Sequence, residues 1–259
     1  MRADFAASLG LVRSLLIYYG QPWRRSALRR FYANFIKPDD LVFDIGAHAG
    51  SRSRTLLSLR ARVVALEPQP MFADFIQRAF AGEDLILLRK AVGKEAGSVD
   101  LHISRRHPTV TSISSAWISK VGKTPGFRNV TWDRIERVEM TTLDALIAEF
   151  GPPRFCKIDV EGAEADIIAG LHHPVPLVAF EYIPATMEIA EEAIGHLRRL
   201  GPYLFNRVEG ERHHFVRCEW MSADDMLIEL SRLTKDNSSG DIYARLEGDD
   251  SGPLFAERR

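Results

Sequence analysis

Short apolar runs alternate with stretches whose apolar residues recur at helix spacing, the pattern of a repeating strand–helix chain. Val63–Leu66, Leu85–Leu88, Val138–Thr141 and Leu177–Phe180 read as strands, as do the runs ending at Asp44 and Asp159. Between them, 51–59, 71–80, 143–150 and 186–200 read as helices. Phe72, Phe75, Ile76 and Phe80 face inward in the second, and Ile189, Ala193, Ile194 and Leu197 in the last. Gly97–Ile103 alternates as an extra strand. Tyr203–Val208 and Arg212–Val216, joined through Gly210, predict a closing antiparallel hairpin. Residues 222–233 predict one more helix, Gly240–Arg245 is expected to rejoin the body, and the stretch from Glu247 reads as a loose tail. Residues 104–136 hold no clean period. Their hydroxyl-rich run TVTSISS (109–115) reads as a surface loop before it reads as an acceptor-binding lid.

The first 36 residues carry an apolar stripe, Phe5, Leu9, Val12, Leu15, Leu16 and Tyr19, followed by Arg24, Arg25, Arg29 and Arg30. This predicts a helical arm packed on the domain with a solvated basic face. Contact of that arm with a membrane is the weaker reading. Pro38-Asp39-Asp40 separates it, giving an arm over 1–37, a domain over 38–245 and a tail over 246–259.

Composition narrows the class. The chain has 259 residues, 46% hydrophobic, enough for one large α/β domain. A net charge of −1 gives no field that would gather nucleic acid. Two cysteines make no disulfide framework, so a reducing, cytoplasmic setting is expected. No apolar run is long enough to span a bilayer. Leu9–Tyr19 is interrupted by Arg13 and lacks a cleavage site, so no signal peptide is expected.

Two stretches carry chemistry. The first is LVFDIGAHAG (41–50), a strand ending near Asp44 and a loop with Gly46, Ala47, His48 and Gly50. The glycines allow tight turning and close approach of a ligand. Glu67, about 20 residues beyond Asp44, tips the next strand before Pro68, and an acid there suits a ribose diol. The loop lacks the third glycine that a dinucleotide pyrophosphate needs, so an NAD-dependent oxidoreductase is the second reading. A looser turn with an acid at hand fits S-adenosylmethionine better.

The second is FCKIDVEGAE (155–164). Strand alternation sets Lys157, Asp159 and Glu161 on one side, so Lys157 needs a carboxylate partner. This strand should neighbour the first where strand order reverses, with Asp44 and Asp159 flanking one crevice. Asp159 or Glu161 is the candidate general base, His48 a weaker one. Glu164 reads as a helix-start acid, Glu181 as a residue facing the acceptor or a structural acid. Arg52 and Arg54 read as solvated, His213 and His214 as surface residues. No His/Cys spacing fits zinc, so no metal is assigned, and Mg²⁺ on Asp159 and Glu161 is the minority reading.

With both stretches read, the chain resembles the FkbM-type methyltransferases, a branch of the class I S-adenosylmethionine-dependent family. LVFDIGAHAG (41–50), VVALEP (63–68), TTLDAL (141–146) and KIDVEGAEADIIAG (157–170) carry the resemblance, over roughly residues 38–216. It implies a Rossmann-like, doubly wound, mostly parallel seven-stranded sheet. It also implies methyl transfer from S-adenosylmethionine to a hydroxyl of a sugar, polyketide, glycan precursor or related metabolite. Asp44, Gly46 and Glu67 match the family's cofactor positions, Asp159 and Glu161 its acidic site. In such folds the third strand's end borders the adenine, which makes the backbone at Lys90 and Ala91 a candidate contact. A non-catalytic module that keeps the fold is the third reading. The sequence leaves the acceptor and the oligomeric state open.

Overall fold

The computed structural model describes residues 22–248. The apolar stripe from Phe5 to Tyr19, the side chains of Trp23 and Arg24, and the tail beyond residue 248 lie outside the described residues.

The chain runs α1 (Pro22–Tyr32), β1 (Leu41–Ile45), α2 (Ser51–Leu57), β2 (Arg62–Leu66), α3 (Pro70–Ala79), β3 (Leu85–Leu88), β4 (Ala91–Val92) and β5 (Gly97–Ile103). It continues through α4 (Ser115–Val121), β6 (Arg134–Thr141), α5 (Leu143–Phe150), β7 (Phe155–Ile158), α6 (Glu164–Ala169) and β8 (Leu177–Tyr182). It closes with α7 (Met187–Leu200), β9 (Tyr203–Glu209), α8 (Ala223–Ser231) and β10 (Gly240–Leu246).

Seven strands form one sheet in the order β3-β2-β1-β7-β8-β10-β9. The first five are parallel, and β10 is antiparallel to both β8 and β9. Strand order reverses between β1 and β7, where doubly wound sheets open a crevice at the strands' carboxyl ends. Alternate residues feed two cores. Phe43, Ile45, Cys156, Ile158, Val178 and Phe180 pack on one face, Val42, Phe155, Leu177, Ala179 and Tyr243 on the other. The second face is covered partly by α1, through Leu28, Phe31 and Tyr32, while Arg25, Arg29 and Arg30 stay exposed. A small separate sheet, β4-β6-β5, stands beside the main one.

The hairpin differs from expectation in its second strand. β9 pairs with β10, Tyr243 opposite Asn206, rather than with 212–216. A strand between β8 and β9 is covered on both faces and needs apolar residues on both. Ile242, Tyr243 and Ala244 supply them, whereas Arg212, His213 and His214 would bury charge. His213 is nevertheless tucked in, its side chain 7% exposed and its Nε2 3.7 Å from Glu211, so it is not the surface residue expected. The 104–136 region is also more ordered than a loop. It contains α4, whose Ser114 cap accepts from the Trp117 N–H, and the start of β6.

Candidate functional site

The glycine loop sits directly over the carboxyl ends of β1 and β7. Gly46 and Gly50 both have positive φ, +80° and +72°. Added side chains would meet protein rather than empty space. A Cβ on Gly46 would lie 1.9 Å from the Asp159 carbonyl oxygen, and one on Gly50 2.8 Å from the Phe80 ring. The glycines turn tightly, as expected, and also let two loops and a helix close together.

Glu67 ends β2 with a carboxylate held on both sides. The His48 N–H donates to Oε2 and the Gln69 N–H to Oε1, each at 2.8 Å. Each oxygen keeps a second lone pair, on a carboxylate that is fixed in place and 3% exposed. Burial raises its pKa, against the nearby His48 and these two N–H groups. Asp44 lies deeper, 1% exposed, and accepts from Ser53 Oγ at 2.5 Å. Burial pushes its pKa up and the Ser53 bond pulls it down.

The ion network on the β1/β7/β10 face is the centre of the site. Lys157, fully buried, contacts Asp241 Oδ1 at 3.0 Å and Asp159 Oδ2 at 3.8 Å. Its Nζ also donates to the Ile158 carbonyl at 3.0 Å. Arg52 reaches the same two acids, Asp159 at 3.6 Å and Asp241 at 3.4 Å, and donates to the Tyr32 hydroxyl at 3.2 Å. Arg52 is thus half-buried and paired in the site, not solvated. Arg54 likewise lies over the Phe80 ring, 4.5 Å from its centroid. Burial alone would raise the Asp159 pKa, but Lys157 and Arg52 outweigh it and hold the carboxyl down at about 2.

Glu161 and Glu181 stand differently. Glu161 has a left-handed backbone, φ +58°, uncommon for a non-glycine residue. Neither side chain makes a hydrogen bond or ion pair among the described residues, and Glu181 Oε2 is buried without a partner. Burial, then the negative Asp159 and Glu164, drive the Glu161 pKa well above its ordinary value. Burial, then Glu161 and Asp159, do the same for Glu181. Glu164 accepts from the N–H groups of Val160 and Gly162, closing its own loop as a helix-start acid.

A cavity of about 150 Å³ joins these groups. Leu28, His48, Ser51, Arg52, Asp159, Glu161, Glu181, Gly210, Glu211, Ser239, Gly240 and Asp241 line it. Asp44, Gly46, Glu67 and Pro68 are not among the residues that line it. The Lys90 side chain turns to Glu139 at 3.1 Å, leaving only backbone near the end of β3, and Ala91 is buried in the small sheet. From the 104–136 region, Thr111 Oγ1 donates to Gln69 Oε1 at 2.8 Å and Ser112 Oγ to the Glu161 carbonyl at 2.6 Å. Sequence reasoning missed Arg52, Asp241, Ser112 and Trp117. The lone signal was that Lys157 needed an acid. Among the described residues no group of three or more His, Cys, Asp or Glu is placed to hold a metal ion, and no helix is long and apolar enough to cross a membrane.

Comparison with known proteins fits this geometry. The Methyltransferase FkbM domain matches residues 44–234, from Asp44 through the crevice to the end of α8. The chain belongs to the FkbM methyltransferase family. It is 29% identical over 153 residues to the 2-O-methyltransferase NoeI of Sinorhizobium fredii, covering 56% of this chain and 63% of that one. The match thus spans less than two thirds of that relative. Among solved structures, an O-methyltransferase from Bacillus cereus in complex with SAH is 13% identical, with TM-score 0.44 over 95% of this chain and 90% of that one. A precorrin-6y C5,15-methyltransferase from Geobacter metallireducens is 14% identical, with TM-score 0.45 over 86% and 87%. Family membership disfavours the oxidoreductase reading and implies S-adenosylmethionine as the cofactor. The donor set fits that group: the Glu67 carboxylate is held by two backbone N–H groups, and the Asp159 carboxylate is kept ionised by Lys157 and Arg52.

Proposed function

We propose that this protein O-methylates a hydroxyl of a small molecule, such as a sugar, a polyketide or a glycan precursor, in a cytoplasmic setting. When bound, S-adenosylmethionine would supply an electrophilic methyl group on a cationic sulfur, which would keep the electron pair as the methyl passes to the acceptor oxygen. Glu67, oriented by the His48 and Gln69 N–H groups, holds the ribose hydroxyls. Gly46, Ala47, His48 and Gly50 shape the loop around it, and Pro68 with the Lys90–Ala91 backbone borders the adenine. Asp159, kept ionised by Lys157 and Arg52, is too weak a base for a hydroxyl and serves as fixed charge. Glu161 takes the acceptor proton, because burial and the neighbouring acids make it a stronger base than an ordinary carboxylate. His48 lines the same cavity and is the second candidate.

The observation that supports this reading best is a fixed ribose-type acid on β2 and an unpaired, strained acid beyond β7, on either side of one loop. Calorimetry with S-adenosylmethionine, together with transfer of a labelled methyl group, tests it. Glu161→Gln is expected to bind the donor as the wild type does and to lose turnover about 100-fold or more. Wild-type turnover by this variant removes Glu161 from the base role. Binding of NAD but not S-adenosylmethionine would overturn the whole assignment.

A further inference from the structure

Asp241 stands outside the matched domain, which ends at residue 234, yet it lines the crevice. It comes from β10, whose pairing sets it opposite Glu181 on β8, so both project from the same face. Its carboxylate lies 3.0 Å from Lys157 Nζ and 3.4 Å from Arg52 Nη2. No local spacing in the KIDVEG stretch provides this acid. The last strand of the sheet brings it.

Its role follows from a count of charges. Lys157 and Arg52 each reach both Asp159 and Asp241, so two cations and two carboxylates share one network and cancel. Glu161 and Glu181, in the same cavity, are driven towards the neutral form by burial and by the surrounding acids. Glu211, the remaining acid of the lining, is more than half exposed, and solvent screens it. S-adenosylmethionine and S-adenosylhomocysteine differ only by the methyl group and the positive charge on sulfur. A cationic ligand beside Arg52 and Lys157 is repelled unless both of their charges are answered. Asp159 answers one of them, and Asp241 answers the other.

We propose that Asp241, from beyond the family domain, tunes this crevice to the charged donor over its neutral product by neutralising Arg52 and Lys157. It acts through those two cations and is a positioning residue, not a catalytic one. This rests on the methyltransferase reading above.

The test is calorimetry of the wild type and its variants with S-adenosylmethionine and with S-adenosylhomocysteine, read as the ratio of the two affinities. Damage common to both ligands cancels in that ratio, so a merely structural role does not move it. Asp241→Asn adds net positive charge and should shift the ratio about tenfold against S-adenosylmethionine, whereas Asp241→Glu, which keeps the charge, should stay nearer the wild type. Arg52→Gln removes positive charge and should shift the ratio about tenfold the other way. A folded Asp241→Asn variant with the wild-type ratio overturns the proposal. So does an Asp241→Glu ratio as low as that of Asp241→Asn, and so does an Arg52→Gln ratio that stays level or falls. Asp241→Asn leaves Lys157 buried with one acid fewer, and where that unfolds the chain the Arg52→Gln result decides alone. If the wild type binds neither ligand, the methyltransferase reading has failed instead.

Discussion

Glu161 and Asp159 are two positions apart and carry opposite electrostatics. Asp159 is held by two cations, while Glu161 has left-handed backbone and acids around it. A base must be ionised to act, so turnover should fall as pH drops through the raised Glu161 pKa, above the ordinary carboxylate range. A pH–rate profile reads this directly, and an acid limb at the ordinary Glu position would contradict it. Asp159 governs stability instead. Its folded pKa, about 2, lies below the ordinary 3.8, so its contribution is present above about pH 4 and is lost as pH falls towards 2. Asp159→Asn should therefore flatten the acid-denaturation curve over that interval, by an amount on the order of 2 kcal/mol. At this scale the sequence revealed types more readily than partners. Lys157 announced a need for an acid because a charge on a central strand cannot stay bare. That the acid is Asp241 depends on β10 lying beside β8, and no local spacing encodes that.

At the scale of elements, α4 and the run before it account for the crevice shape. Thr111 is tied to Gln69 and Ser112 to Glu161, so consecutive hydroxyls fasten the loops after β2 and β7. Trp117 then lies where a Cβ on Gly162 would fall, 2.3 Å from its Cγ, and Gly162 has φ +99°. Trp117→Ala should cost about 3–5 kcal/mol in chemical unfolding. It should also relax the Glu161 backbone, lowering turnover more than donor affinity. A variant that loses neither would show that the contact is incidental. Aperiodic sequence hid this element, because its residues are placed by hydroxyl and indole contacts to distant loops rather than by an apolar stripe. The misassigned hairpin has a related cause. Residues 212–216 read as a strand and 240–245 only as a return to the body, and the demand for burial on both faces selects the second. Helix 143–150 was legible because cap and stripe agree, with Thr142 accepting from the Ala145 N–H at 3.1 Å, and 186–200 by its apolar stripe alone.

On the scale of the whole molecule, the reversal of strand order between β1 and β7 makes the site. It brings the glycine loop, the β2 acid and the KIDVEG loop to one edge, although they lie far apart in the chain. The alternation of runs and stripes made this architecture readable, since parallel strands joined by helices have few ways to fold. The arm is part of the same design. Leu28 lines the cavity and Tyr32 accepts from Arg52, so α1 helps to wall the crevice as well as cover the sheet. The electron density of a co-crystal with S-adenosylhomocysteine bears most directly on the central claim. It should show the ribose hydroxyls on the Glu67 carboxylate and the sulfur facing the Asp159–Glu161 loop across the glycine turn. An adenosyl group seated elsewhere, with Glu67 untouched, would contradict it.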